Sequence, residues 1–320
     1  MLRIGIDLGG TKTEGIVMGA DGTILHQERR PTPQADGYAA ILSNISDIVF
    51  DLERRCGESC RVGVGTPGAI SVETGLQKNS NTVSMNGKPV KRDLEKLLRR
   101  EIRVANDANC FALSEALDGA GQGYPVVFGV ILGTGVGGGI VYHGQLHEGV
   151  QRIAGEWGHN ILERDGPSCY CGKRGCVETF LSGPGLAHDY KAAGGDPARD
   201  ARAISQAAID GDSLSEAAMQ RYCDRFGRAL SVVVNILDPD AIVLGGGVSN
   251  IAQLYTHGRE KLELHSFSEG LRTALLPHQH GDSSINCATG PTAQALWRRR
   301  SSKPSAISRA SLTRLLQTCN

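Results

Sequence analysis

The chain is 320 residues long, more than one domain usually needs, so two domains around a single cleft are expected. Its 34 lysines and arginines balance 34 aspartates and glutamates, leaving no global field to draw it to nucleic acid or an anionic membrane. The longest apolar run, Val126–Leu132, is too short to span a bilayer, and nothing after Met1 reads as a signal peptide, so a cytoplasmic protein with small-molecule partners is expected.

In chain order, residues 2–7, 13–19 and 23–29 read as an antiparallel meander, turned at Gly9-Gly10 and at Ala20-Asp21-Gly22. A helix over 37–56 carries Ile41, Ile45, Ile48, Val49 and Leu52 on one face. A strand at 61–66, a glycine- and asparagine-rich loop to Gly87, a charged helix at 92–100, a strand at 102–105 and a helix at 108–117 complete a first α/β unit. Residues 119–123 read as a hinge. A second unit repeats the opening plan: a strand at 126–132, a glycine turn at 133–139 and a strand at 140–142. Beyond a cysteine-rich loop come helices near 201–211 and 214–237, a strand at 241–244 and the glycines 245–247. The expected division is a smaller lobe at 1–118, a larger lobe with the cysteine loop at 119–297, and a weakly ordered tail at 298–320, rich in Arg, Ser and Lys.

DLGGTKT at 7–13 places small residues and hydroxyls at a turn where backbone amides can face phosphate oxygens, with Asp7 placed to organise hydrated magnesium. GTGVGGG at 133–139 supplies a second such turn, with Thr134 offering a hydroxyl. Either turn alone is more often an ordinary hairpin; two of them after apolar strands point to a nucleotide clamped between lobes. Asp107 lies where a strand meets a helix, so it is either an N-cap or a carboxylate aimed into the cleft. Phosphoryl transfer to an alcohol needs a base there, which favours catalysis.

The nine cysteines are an odd number, and Cys169, Cys171 and Cys176 crowd together while the others scatter, which fits metal ligation better than a disulfide framework. With His159 they supply one imidazole and three thiolates, a closed tetrahedral set for structural zinc, and Gly172 and Gly175 permit the tight turns. Folding that loop brings Glu156 and Glu178 together, as partners for sugar hydroxyls. The glycines 245–247 either admit adenine and ribose or merely end a strand.

DLGGTKT, NDAN at 106–109, GTGVGGG, GEWGH at 155–159 and CYCGKRGC at 169–176 together resemble the ROK family of bacterial sugar kinases and repressors, over residues 3–284. The resemblance implies the two-lobed α/β fold of actin, Hsp70 and hexokinase, a ribonuclease H-like arrangement of mixed sheets flanked by helices. It implies ATP-dependent phosphorylation of a hexose at its 6-hydroxyl, with Asp107 as general base. Glu156, His159 and Glu178 then contact the sugar, Asn81, Asn106 and the loop through Gly68 complete its pocket, and His159 joins the cysteines on zinc. ATP with magnesium would lie against Gly9, Gly10, Thr11, Lys12, Gly133, Thr134, Gly135, Gly245, Gly246 and Gly247.

Around residues 5–14, 155–160 and 169–180 the wording is most similar to the fructokinase (manno-fructokinase) branch, so D-fructose is the expected substrate. N-acetylglucosamine kinase, mannokinase and glucokinase are the alternatives within the family. Two departures stand out: Ser84, where that branch carries a tryptophan, and INCAT at 285–289, where the family continues into a small-residue helix. The family is usually dimeric, so a homodimer is possible here. A DNA-binding repressor is not expected, because the first strand starts almost at Met1; a non-catalytic sugar sensor is the alternative of another class. An actin-like ATPase would have no use for the zinc knuckle.

Overall fold

The computed structural model describes residues 2–280. The expected tail at 298–320 and the departure at 285–289 lie outside the described residues. Strands β1 (Arg3–Leu8), β2 (Lys12–Met18) and β3 (Ile24–Pro31) form the meander, followed by α1 (Gly37–Cys56) and β4 (Arg61–Thr66). A short hairpin, β5 (Ala69–Ile70) and β6 (Gln77–Lys78), precedes α2 (Val90–Leu98), β7 (Arg103–Asn106) and α3 (Asp107–Asp118). The second half runs β8 (Val126–Leu132), β9 (Val136–Tyr142), β10 (Gln145–Leu146), α4 (Glu178–Leu181), α5 (Gly183–Ala192), α6 (Ala201–Ile209), α7 (Ser213–Leu237), β11 (Ala241–Gly245), α8 (His257–His265) and β12 (Ala274–Pro277).

The two large sheets have one plan. The first is ordered β3-β2-β1-β4-β7 and the second β10-β9-β8-β11-β12. In each, an antiparallel meander is extended by two parallel strands. The parallel strands β1, β4, β7, β8 and β11 therefore end on the same side of their sheets, where ligands collect in open α/β folds. Strand β8 reads as an apolar run because helices cover both of its faces. Helix α1 buries Ile41, Ile45, Ile48, Val49 and Leu52 against Ile4, Ile6 and Leu8, and ends at Gly57, whose left-handed backbone donates to the Glu53 carbonyl. Among the described residues no helix is long and apolar enough to cross a membrane.

Three features differ from the sequence expectation. Helix α3 packs on the second sheet: Phe111, Ala112, Leu113 and Ala116 share a buried cluster with Val127, Val141 and Val243. The chain therefore passes between lobes at Asn106–Asp107, ahead of the glycines at 119–123. Second, Gly137, Gly138 and Gly139 belong to β9, not to a turn. Gly137 and Gly139 let α3 lie flush while Gly138, on the other face, makes room for Gly155 and Trp157: a Cβ on Gly139 would stand 2.7 Å from the Ala112 Cβ, and one on Gly129 of β8 2.5 Å from it. Third, α5, α8 and β12 went unread. Helix α5 opens with Gly-Pro-Gly, which reads as a breaker, yet proline suits a first turn and Ser182 caps it by accepting from the Gly185 amide. Only Gly258 and Leu262 of α8 are buried, too few to mark a face.

Because Gly129 meets the Ala112 backbone as well as its methyl, Gly129→Ala must separate α3 from the sheet. The expected loss, read by urea unfolding, is about 1–3 kcal/mol.

Candidate active site

The crossing point carries Asn106 and Asp107. Asn106 is the N-cap of α3: its Oδ1 accepts from the Asn109 amide at 2.9 Å. Its Nδ2 donates to the Gly68 carbonyl and to Asp107 Oδ1, each at 3.1 Å. With the cap supplied by its neighbour, Asp107 is free to face the cleft from the first helical position, where Oδ1 also accepts from the Ala108 amide at 2.8 Å. Its carboxyl is pushed up from 3.8 to about 7: burial is the largest cause, Asp7 adds to it, the Ala108 N–H works against it, and Glu156 adds again. A carboxyl poised near neutrality is suited to accept a proton.

Two glycine loops flank Asp107. In the first, Thr32 Oγ1 donates to the Gly9 carbonyl at 2.8 Å and Gln34 Nε2 to that of Gly10. Thr32 is itself held by Thr13, at 2.9 Å. A trans peptide with its carbonyl held on one side presents the next N–H on the other, so the amides of Gly10 and Thr11 turn away from Thr32 and Gln34. The second loop repeats the device: the Gly183 amide donates to the Gly133 carbonyl at 2.8 Å and the Gly133 amide to that of Gly135 at 2.9 Å. Glu178 Oε2 accepts from the Val136 amide at 3.0 Å, which lays its carboxylate against Gly135.

Opposite Asp107, the strand-to-loop segment at 155–178 folds into a knuckle. The ligand atoms of His159, Cys169, Cys171 and Cys176 all lie within 4.8 Å of one another. Tetrahedral zinc, with Zn–S near 2.3 Å and Zn–N near 2.0–2.1 Å, needs S···S edges of about 3.8 Å and S···N edges of about 3.6 Å. Cys171 Sγ is 3.6 Å from Cys176 Sγ, and Cys169 Sγ is 3.6 Å from His159 Nδ1, so the donor set fits. The other ring nitrogen, Nε2, meets the Tyr170 hydroxyl at 3.0 Å. At Gly175 the backbone is left-handed and a Cβ would strike the Glu163 carbonyl, so only glycine closes the knuckle. Glu163 in turn accepts from Arg225 at 2.9 Å and Arg228 at 2.6 Å, tying the knuckle to α7. Burial opposes that charge, but the two arginines hold the Glu163 carboxyl below its ordinary range.

A cavity of about 190 Å³ brings Gly9, Gly10, Gly68, Asn81, Asn106, Asp107, Gly133, Thr134, Gly135, Glu156, His159 and Glu178 together. Burial raises the Glu156 carboxyl, His159 works against the rise and Glu178 adds to it, so the two glutamates feel one another as expected. Asp7 acts on Asp107 from the end of β1, while Thr11 and Lys12 are exposed at the turn. The glycines 245–247 divide. Gly245 ends β11 beneath the Phe111 ring and Gly246 turns with φ 83° against the Leu132 carbonyl, so both serve packing. Gly247 alone reaches a wider cavity of about 1030 Å³, shared with Gly133, Thr134, Gly183 and Asn250.

Asn79 and Tyr170 line the smaller cavity and were missed. Tyr170 was legible as an aromatic hydroxyl placed between two ligands; Asn79, held at φ 58°, has no local signal. A cross-lobe bond fixes that segment, from Lys78 Nζ to the Gln151 carbonyl at 2.9 Å.

Two lobes of one plan, closing on two glycine loops, a poised carboxylate and a polar pocket, define a sugar kinase of the hexokinase-like class. The sequence profile of the ROK family matches residues 3–297, past the point at which the motif resemblance stops, and the chain belongs to that family. It is 37% identical over 289 residues to an N-acetyl-D-glucosamine kinase of Escherichia coli O1:K1 / APEC, covering 87% of this chain and 95% of that protein. It is similar to the ROK hexokinase from Thermus thermophilus, with 30% identity, a TM-score of 0.76 and coverage of 90% and 97% of the two chains. A ROK family glucokinase from Streptomyces griseus, solved with glucose and AMPPNP, shares 28% identity at a TM-score of 0.78, over 92% and 100%. The expected fructokinase branch gains no support from these relatives.

Two expectations follow. Cys176 is buried, so Cys176→Ser should reduce zinc from one equivalent per chain, by atomic absorption, and raise the sugar KM about tenfold through the loosened His159. The raised Asp107 carboxyl implies stability lost as pH climbs: between about pH 4 and pH 7 the unfolded carboxyl gives up its proton first. Asp107→Asn should therefore be more stable than wild type by roughly 1–3 kcal/mol at pH 8, with the gap closing near pH 4, in urea titrations at both values.

Proposed function

We propose that the chain transfers the γ-phosphoryl group of ATP to the 6-hydroxyl of a hexose, with N-acetyl-D-glucosamine as its first substrate. The observation that carries the reaction class is Asp107, freed from capping by Asn106 and held near pH 7 between two amide-presenting loops. The curated relatives at 37% identity support the sugar. Fructose is the second reading, favoured by the wording around the knuckle.

Asp107 accepts the proton of the 6-hydroxyl, and Asn106 Nδ2 steadies the carboxylate while it does so. The turned amides of Gly10, Thr11 and Thr134 meet charge on the phosphoryl oxygens, where fixed dipoles act without reorganising. Asp7 is the carboxylate placed to hold hydrated magnesium, which neutralises phosphate charge when bound. Glu156, Glu178 and Asn81 orient the sugar by its other hydroxyls. His159 would give Nδ1 to zinc and already meets the Tyr170 hydroxyl through Nε2, so it acts on the sugar by fixing Tyr170 in the cavity wall.

The test is coupled detection of ADP with fructose, mannose, glucose, N-acetylglucosamine, N-acetylmannosamine and allose. The expected result is the highest kcat/KM with N-acetylglucosamine, an acid limb falling tenfold per unit below about pH 7, and a loss of 10²–10⁴-fold in Asp107→Asn. Preference for fructose would move the substrate within the same mechanism. No turnover by folded, zinc-loaded protein would replace the kinase with a sugar sensor.

A further inference from the structure

We propose that the sugar cleft continues into an apolar annex that takes the acyl chain of a 2-acylamino hexose, and that this annex admits chains longer than acetyl. The inference rests on the N-acetylglucosamine reading above and concerns a part of the molecule that reading does not use. Beside the cavity of about 190 Å³ lies a second of about 780 Å³. The two share Asn79, Glu156, His159 and Tyr170 in their walls. Past those polar groups the second cavity turns apolar, lined by Val83, Ile153, Trp157 and Ile236. Val83 is 73% exposed, Ile153 44% and Ile236 83%, an unusual amount of aliphatic surface to leave in water at the mouth of a sugar site.

Sugar geometry says which substituent would reach it. In a pyranose, C5 carries the hydroxymethyl group and C2 is the ring atom directly across from C5. With the 6-hydroxyl on Asp107, which lines only the smaller cavity, the 2-substituent projects away from it, toward the wall that Asn79 and Tyr170 share with the second cavity. An acylamino group matches the order of the wall: its amide falls among Asn79 and Tyr170, and its alkyl end beyond them. The annex is several times larger than the cleft itself, so an acetyl methyl leaves most of it unfilled. Each further methylene that leaves water there is worth about fourfold in kcat/KM.

The experiment compares kcat/KM for N-acetyl-, N-propanoyl- and N-butanoylglucosamine in the wild type, Val83→Asp and Ile236→Asp. Both side chains are largely exposed, so the substitutions place charge at the annex without burying it. In the wild type kcat/KM is expected to rise from acetyl to butanoyl. In both variants the butanoyl value is expected to fall at least tenfold while the acetyl value changes less than twofold. A wild-type kcat/KM that falls from acetyl to butanoyl, with acetyl turned over well, overturns the annex and leaves the N-acetylglucosamine reading standing. Turnover of glucose or fructose with neither acyl sugar overturns both. If Ile236→Asp instead halves the mass by light scattering and shifts acetyl and butanoyl alike, a second copy of the chain covers the patch and the annex is overturned.

Discussion

An aspartate at the N-cap itself would turn its carboxylate back along the helix, and most of the site follows from Asn106 taking that position and leaving Asp107 the first helical one. Its Oδ1 satisfies the Asn109 amide and its Nδ2 spans Gly68 and Asp107, so one side chain caps α3, holds the Gly68 loop and orients Asp107. Asp107 is then subject to desolvation and to the charges of Asp7 and Glu156, which together raise its carboxyl. The local free energy is unfavourable, and the fold sustains it by rigid packing nearby, as functional sites often do.

That rigidity comes from the second sheet. The glycines of β8 and β9 bring α3 against the strands at a distance no side chain would permit, and the same strands end in the loop that presents the Thr134 amide. Asp107 and the second glycine loop are thus parts of one body. The first loop belongs to the other sheet, held by Thr32 and Gln34 from beyond β3.

The knuckle ties the sugar end to the same frame. His159 gives Nδ1 to the metal set and Nε2 to Tyr170, Glu178 spans the knuckle and the second loop, and Glu163 anchors the whole to α7 through Arg225 and Arg228. A metal on those four ligands would have no open position and would act by fixing the side chains around it.

The sequence by itself determined whatever depends on neighbours along the chain. Helix α1, β4 and β8 were legible to the residue because apolar period and glycine punctuation are local. The clustering of His159 with Cys169, Cys171 and Cys176 was legible from their spacing and residue types, and the repeated strand–turn–strand was legible as two sheets of one plan. What tertiary structure alone decided are the contacts between distant segments. Nothing local tells that Gly137 and Gly139 make room for a helix and Gly138 for Gly155 and Trp157, that Gly245 and Gly246 pack under Phe111 and Leu132, or that α3 crosses to the other lobe. Asn79 and Tyr170 enter the site only when the lobes and the knuckle come together. A glycine is blank in sequence, because the absence of a side chain serves an anion, a turn or a close-packed neighbour equally; which of these it serves is set by what the fold places opposite it.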